Sequence, residues 1–146
     1  MTHDPKVVIN ELLVELFNHI LSIEQENLRE RGVTLSMNEV HVLEAIEKSD
    51  PPTMSNIAKK LRVTVGTVTA SINRLVAKEY CVRYGDEHDR RKVYLKLTQK
   101  AREVLKVHED FHDEMIDAVV EDLKLEDNRV LIDSLEKLLS YFKNQY

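Results

Sequence analysis

Apolar residues recur at three- and four-residue steps through most of this chain, and the step shortens only in two brief runs. Ile9, Leu12, Leu13, Leu16, Phe17, Ile20, Leu21 and Leu28 predict one long helix. Asp4-Pro5 opens it, because Asp caps and Pro suits the first helical position. Gly32, after Arg31, suits a left-handed C-terminal cap. Ser36 and Glu39 form a capping box for a helix carrying Val40, Leu43, Ala45 and Ile46 to about Ser49. Asp50-Pro51-Pro52 breaks it. Thr53 caps a short helix to Leu61, with Ile57, Ala58 and Leu61 inward. After the turn Arg62-Val63-Thr64, Thr64 caps a second helix, Val65 to Glu79, whose apolar stripe is Val68, Ile72, Leu75 and Val76. Cys81 to Tyr84 and Lys92 to Leu97 are the two β-like runs, with Gly85-Asp86-Glu87-His88-Asp89-Arg90-Arg91 between them. Thr98 caps another long helix, Gln99 to about Asp122, bearing Val104, Leu105, Phe111, Met115, Ile116 and Val119. Lys124-Leu125-Glu126-Asp127 links it to a last helix, to about Phe142, with Val130, Leu131, Leu135, Leu138, Leu139 and Phe142.

The expected fold is therefore mainly α with a small β-hairpin wing, a winged helix-turn-helix. That order of elements is a device for setting one helix in a DNA major groove with a hairpin tip beside it. The first and last helices carry more apolar surface than a small reader can cover, so a homodimer joined through the N- and C-terminal helices is expected. The chain reads as one domain, 1–146. Its reader spans about 36–98, flanked by helical regions at about 4–31 and 99–146 that serve dimerisation and, on the resemblance below, effector binding. Dimeric readers meet half-sites about 34 Å apart.

Composition supports a helical, globular chain: 42% apolar and 32% charged residues, with three glycines and three prolines. The net charge of −5 argues against nucleic acid only if the charge is evenly spread. It is not, since residues 59–92 hold nine Lys/Arg against four acids, leaving the remainder strongly acidic. A basic segment in an acidic chain marks an anion-binding face, or an ordinary solvated one. No apolar run approaches the ~18 residues of a membrane span. The start, Met1-Thr2-His3-Asp4-Pro5, lacks a signal peptide's pattern. A single cysteine, Cys81, permits no internal disulfide and fits a reducing compartment, so a cytoplasmic protein is expected. No nucleophile–base pair, glycine-rich phosphate loop or paired catalytic carboxylates stand out, which argues against an enzyme.

The candidate chemistry lies on the second helix of the helix-turn-helix and on the hairpin tip. Opposite its apolar stripe that helix carries Gly66, Thr67, Ala70, Asn73, Arg74 and Ala77, with Ser71 and Lys78 at the edge and Thr64 as its cap. Small residues let a helix approach base edges, and Thr, Ser, Asn and Arg supply hydrogen bonds. A plain solvent face is the alternative. At the tip, Asp86 and Asp89 can pair with Arg90 or Arg91 and pre-orient a guanidinium for a narrow minor groove. A surface salt bridge alone would use the same residues, at little gain. A winged helix used only to bind protein would need neither feature.

The pattern Asp86-x-x-Asp89-Arg90-Arg91 followed by Val93-Tyr94-Leu95-Lys96-Leu97-Thr98 resembles the wing signature of MarR-family transcriptional regulators. Leu35-Ser36 and Ile57-Ala58-Lys59-Lys60-Leu61 match as well. The resemblance implies a homodimeric winged-helix repressor on a palindromic operator. Its helix Val65 to Glu79 would sit in the major groove, and Arg91, braced by Asp89, in the minor groove. Within the family, Val63 to Asn73, Phe17-Asn18-His19-Ile20-Leu21, Ile23-Glu24, Asn27-Leu28-Arg29 and Phe111-His112 resemble the fatty-acid-synthesis repressor branch. That implies a long-chain acyl group on acyl carrier protein as co-repressor. The acyl chain would lie in an apolar tunnel that Phe17, Ile20, Leu21, Met37, Phe111 and Met115 could line, unless these are ordinary core. Arg29, Arg31, Arg102 and Lys106 are the cations available to an acidic carrier.

His108 and His112, at i and i+4, have ligand-like spacing. With His41 and Glu24 they resemble part of the zinc site of the family's zinc-uptake repressors. The chain departs from those in having no histidine-rich run and no cysteine near residue 30. Zinc sensing is the alternative effector reading, against histidines that only hydrogen-bond within the helical core. Cys81, at the start of a wing strand, reads as a small half-buried residue rather than a peroxide sensor.

Overall fold

The computed structural model describes residues 4–146; Met1-Thr2-His3, part of the stretch read above as lacking a signal peptide, lie outside them. Among the described residues the helices are α1 Pro5–Asn10, α2 Phe17–Glu30, α3 Met37–Lys48, α4 Met54–Leu61, α5 Val65–Ala77, α6 Gln99–Asp122 and α7 Arg129–Gln145. One antiparallel hairpin, β1 Cys81–Gly85 with β2 Val93–Leu97, lies between α5 and α6. Glu11–Leu16, between α1 and α2, winds as π-helix. The first helical run therefore spans the expected residues with a widened middle, which a three-and-four spacing rule does not foresee.

The chain divides into two compact units, one ending at His108 and the other comprising Glu109–Tyr146. In the first unit the local stop and start signals work as the side chains require. Asp4 accepts from the Lys6 amide at 3.0 Å. Ser36 and Glu39 complete a reciprocal capping box. Thr53 and Thr64 each accept an amide of their own first turn at 3.2 Å. Gly32, at φ +79°, ends α2 in a Schellman turn, with Val33 N–H donating to Leu28 at 2.8 Å and Gly32 N–H to Arg29 at 3.1 Å. The same paired bonds close α4 at Arg62 and α5 at Glu79, which stand at φ +58° and +66° without being glycine. α5 thus ends at Ala77, two residues short of the expected Glu79, because Glu79 turns left-handed and lets Tyr80 N–H reach the Leu75 carbonyl at 2.9 Å.

One core binds this unit. Leu28, Val40, Leu43, Ile57, Val68, Ile72, Leu75, Leu95 and Ala101 are almost wholly buried together, and Val104 and Leu105 of α6 join them. The core accordingly continues past Thr98 into α6. Cys81 is completely buried rather than half-buried, because it lies on the hairpin face shared with Leu95 and Leu97. Burial pushes its thiol pKa up, only partly offset by Arg83, so a peroxide-sensing thiolate has no support here. β2 is moored by the Leu95 amide donating to Pro52 at 2.9 Å and by a bridge between Thr53 and Tyr94. Residues 4–19 are exposed throughout, including Leu12, Leu13, Leu16 and Phe17.

In the second unit, the end of α6 leads through a 3-10 turn, Leu125–Asp127, to α7. α7 runs to Gln145, beyond the expected Phe142. Asn128 caps it, accepting from the Leu131 amide at 3.1 Å. None of its residues is buried, and Ile116, Val119, Leu123, Leu135, Leu139 and Tyr141 are all exposed. Among the described residues no helix is long and apolar enough to cross a membrane.

Candidate nucleic-acid interface

The face of α5 turned from the core begins at its cap. Thr64 Oγ1 takes the Thr67 amide and also lies 2.9 Å from Thr67 Oγ1, so the two hydroxyls are fixed at the helix mouth. Between them Gly66 is exposed, and a Cβ built there would meet only Thr64 Oγ1, at 3.9 Å. Nothing inside the protomer requires glycine at this position. One turn along, Arg74 Nη2 donates to Ser71 Oγ at 3.3 Å, laying the guanidinium along the exposed face. Gly66, Thr67, Ser71 and Arg74 thus form the contiguous small, polar and cationic strip expected of a groove-entering helix.

Two further residues assigned to that strip bond to neighbouring elements. Lys78 caps the end of α5, and its Nζ donates to Glu39 Oε2 at 3.0 Å. Partial burial works to raise the Glu39 pKa, but the bonds from Lys78 and Ser36 prevail and hold it below the ordinary carboxylate value. Lys78 is therefore a strut to α3 as well as a surface cation. Asn73 Oδ1 accepts from Arg83 of β1, one of the nine cations of residues 59–92.

At the wing tip Asp89 holds Arg91 twice, with Oδ1 taking Nε at 3.2 Å and Oδ2 taking Nη2 at 3.3 Å. Oδ1 also accepts the Arg91 amide at 3.0 Å. The Arg91 side chain is nonetheless 91% exposed. Its bonds hold Asp89 below the ordinary aspartate pKa. The guanidinium is thus oriented and presented, and Arg90 beside it is exposed. Asp86, expected as a partner for Arg90 or Arg91, pairs with neither. Its Oδ1 accepts the His88 amide at 2.8 Å, and Oδ2 accepts from the Tyr94 hydroxyl at 3.4 Å. Asp86 closes the turn, and Tyr94 in turn stacks on Tyr84 with ring centroids 5.4 Å apart, stiffening the wing.

A cavity of about 410 Å³ opens beside α5, with His41, Val63, Thr67, Ser71 and Arg74 among its lining residues. Of the acyl-tunnel candidates in the first unit, Met37 is buried, Ile20 and Leu21 are half-buried and Phe17 is 59% exposed. Phe111 and Met115, in the second unit, are half-buried. Of the zinc candidates, Glu24 and His108 are buried and His41 is half-buried. The His41 ring centroid lies 6.5 Å from that of His108. His108 Nε2 lies 3.1 Å from Glu44 Oε1, and this contact, against the effect of burial, holds the Glu44 carboxyl below its ordinary pKa. Glu44 was not foreseen because its partner is distant in sequence. His112 belongs to the second unit and sits edge-on to Phe111.

A capped reading helix, a moored hairpin and a presented wing arginine define a winged helix-turn-helix of the DNA-binding type. The MarR family model matches residues 35–93. Over 97% of this chain and 99% of the other, the fold is similar to Streptococcus pneumoniae FabT solved in complex with DNA, at 36% identity and TM-score 0.85. Staphylococcus aureus MepR in its DNA complex is 25% identical, with TM-score 0.70, over 90% of this chain and 96% of that one. The HTH-type transcriptional regulator PchR of Bacillus subtilis (strain 168) is 30% identical over 77 residues, 53% of this chain and 46% of PchR. The chain spans about half the length of the first curated relatives it matches. It belongs to the MarR family of DNA-binding transcriptional regulators.

Proposed function

We propose that the protein is a homodimeric repressor of fatty-acid-synthesis genes that binds a palindromic operator, with long-chain acylated acyl carrier protein as co-repressor. The observation that carries this reading is the likeness to the DNA-bound FabT of S. pneumoniae over essentially the whole of both chains. The recognition-helix segment Val63 to Asn73, which resembles that branch, supports it.

In this reading Thr64, Gly66, Thr67, Ser71 and Arg74 face the major groove, and Asp89 aims Arg91 at the minor groove with Arg90 and Lys78 near phosphates. Uncovered apolar surface supports the dimer, since α7 buries none of its residues in the protomer and residues 4–19 are all exposed. A partner subunit is the ordinary remedy for such surface. Phe17, Ile20, Leu21, Met37, Phe111 and Met115 are the residues proposed to meet the acyl chain.

Zinc is the second reading, with Glu24, His41, His108 and His112 as ligands. The burial of Glu24 and His108 favours it, because buried polar ligands are what a closed site needs. Glu44 holds His108 Nε2, so in this reading His108 coordinates through Nδ1 with Glu44 orienting its ring.

The test is fluorescence anisotropy on a labelled duplex from the protein's own upstream region, with chelator present. Tighter binding with long-chain acylated carrier protein than with the unacylated form is the expected result. Indifference to acylation, with tight binding on adding zinc, transfers the effector role to the histidines and overturns the acyl reading.

A further inference from the structure

We infer that Asn73 and Arg83 form a strut that sets the wing relative to the reading helix, and that Asn73 does not read a base. The inference rests on the assignment of α5 and the wing as the DNA-reading elements.

Arg83 sits in the middle of β1, opposite Leu95. Alternate residues of a strand share a face, so Cys81, Arg83, Leu95 and Leu97 lie on one side of the hairpin. Cys81, Leu95 and Leu97 are buried there. Arg83 continues that face outward, to where the core ends and α5 passes, and its Nη2 donates to Asn73 Oδ1. A guanidinium has only donors, so the Asn73 atom facing it must be the carbonyl oxygen.

Asparagine reads adenine by accepting from N6 while donating to N7, which uses both ends of its amide. With Oδ1 held toward β1, the Asn73 amide is turned away from the orientation that bidentate pair needs. What the bond does instead is mechanical. β2 is held to the loop before α4 through Pro52 and Thr53, and the Asn73–Arg83 bond ties β1 to α5. The Tyr84–Tyr94 stack carries the hold outward to the tip. The two elements that must enter adjacent grooves are thereby kept at one spacing. Both side chains are exposed, so their removal leaves the core intact.

The experiment selects duplexes from a randomised pool with the full-length wild-type protein. It then measures affinity for the best duplex with Asn73→Ala, Arg83→Ala and the double variant, alongside thermal melts. Each single variant is expected to lose about 3- to 30-fold in affinity, within the range of contacting pairs. The double variant should lose no more than the worse single one. Melting temperatures should stay unchanged, Arg83→Lys should retain most of the affinity, and pool selection with Asn73→Ala should return the wild-type base preferences. Losses that add, no loss at all, or a relaxed preference at one base position with Asn73→Ala would overturn the strut. A wild-type protein that enriches no sequence would overturn both the strut and the DNA-reading assignment beneath it, and is distinguishable from the other outcomes.

Discussion

Gly66→Ala should move stability and DNA affinity in opposite directions. In the free protomer the new Cβ meets only Thr64 Oγ1 at 3.9 Å, an ordinary contact, and the backbone there is not left-handed. Replacing glycine by alanine within a helix favours the helix by up to about 1 kcal/mol. For a chain of this size that corresponds to a melting temperature raised by roughly 2–4 °C, and less if the first turn of α5 is forgiving. On DNA the same methyl lies at the mouth of the reading helix, between Thr64 and Thr67. If the helix approaches base edges closely there, the extra carbon overpacks the interface at a cost of about 1–3 kcal/mol, or roughly 5- to 150-fold in Kd. Circular-dichroism melts and fluorescence anisotropy on a selected duplex measure the two effects. A lower melting temperature would show that Gly66 serves the fold, and unchanged affinity would show that this end of α5 does not approach DNA.

Four other outcomes are expected. Arg91→Ala should weaken binding across all sequences and reduce the slope of log affinity against log salt by about 1, whereas loss at a single base position would contradict a shape-reading wing. The Asp89 carboxyl, held low by Arg91, should stay charged as pH falls through the ordinary aspartate range. Its contribution is present above the unfolded-state pKa and disappears only below the lowered folded one; an NMR titration giving Asp89 an ordinary midpoint would remove the brace. Cys81, buried and with a raised pKa, should resist iodoacetamide in the native protein and react in denaturant, and fast native labelling would contradict its place in the core. Leu135→Glu, on the exposed apolar surface of α7, should convert a dimer to monomers by sedimentation, and an unchanged mass would take α7 out of the interface.

What was legible in the sequence was what acts over a few residues. Ser36 with Glu39, Thr53, Thr64 and Gly32 announce helix ends because each bonds within its own turn. The wing emerged because its strands alternate and its tip carries an Asp-x-Arg that pairs two residues apart. Three features were hidden for one reason, that their partners are remote in sequence. Lys78 is legible as a surface cation, but its bond to Glu39, 39 residues back, is not. Asn73 is legible as an exposed polar residue of α5, but its bond to Arg83 is not. Cys81 looks half-buried until β1 and β2 place it beside Leu97. Two further misses concern backbone. Glu79 adopts a left-handed conformation usually signalled by glycine, and Glu11–Leu16 widens to π geometry within a run of ordinary helical spacing.

The most direct test of the central claim, that this fold grips duplex DNA through α5 and a cationic wing, is the salt dependence of its affinity for a pool-selected duplex. The basic segment 59–92 predicts several phosphate contacts, so affinity should fall steeply between 50 and 200 mM salt, with a log–log slope steeper than about −3. Binding that is absent, or that persists with a flat slope, would contradict the account.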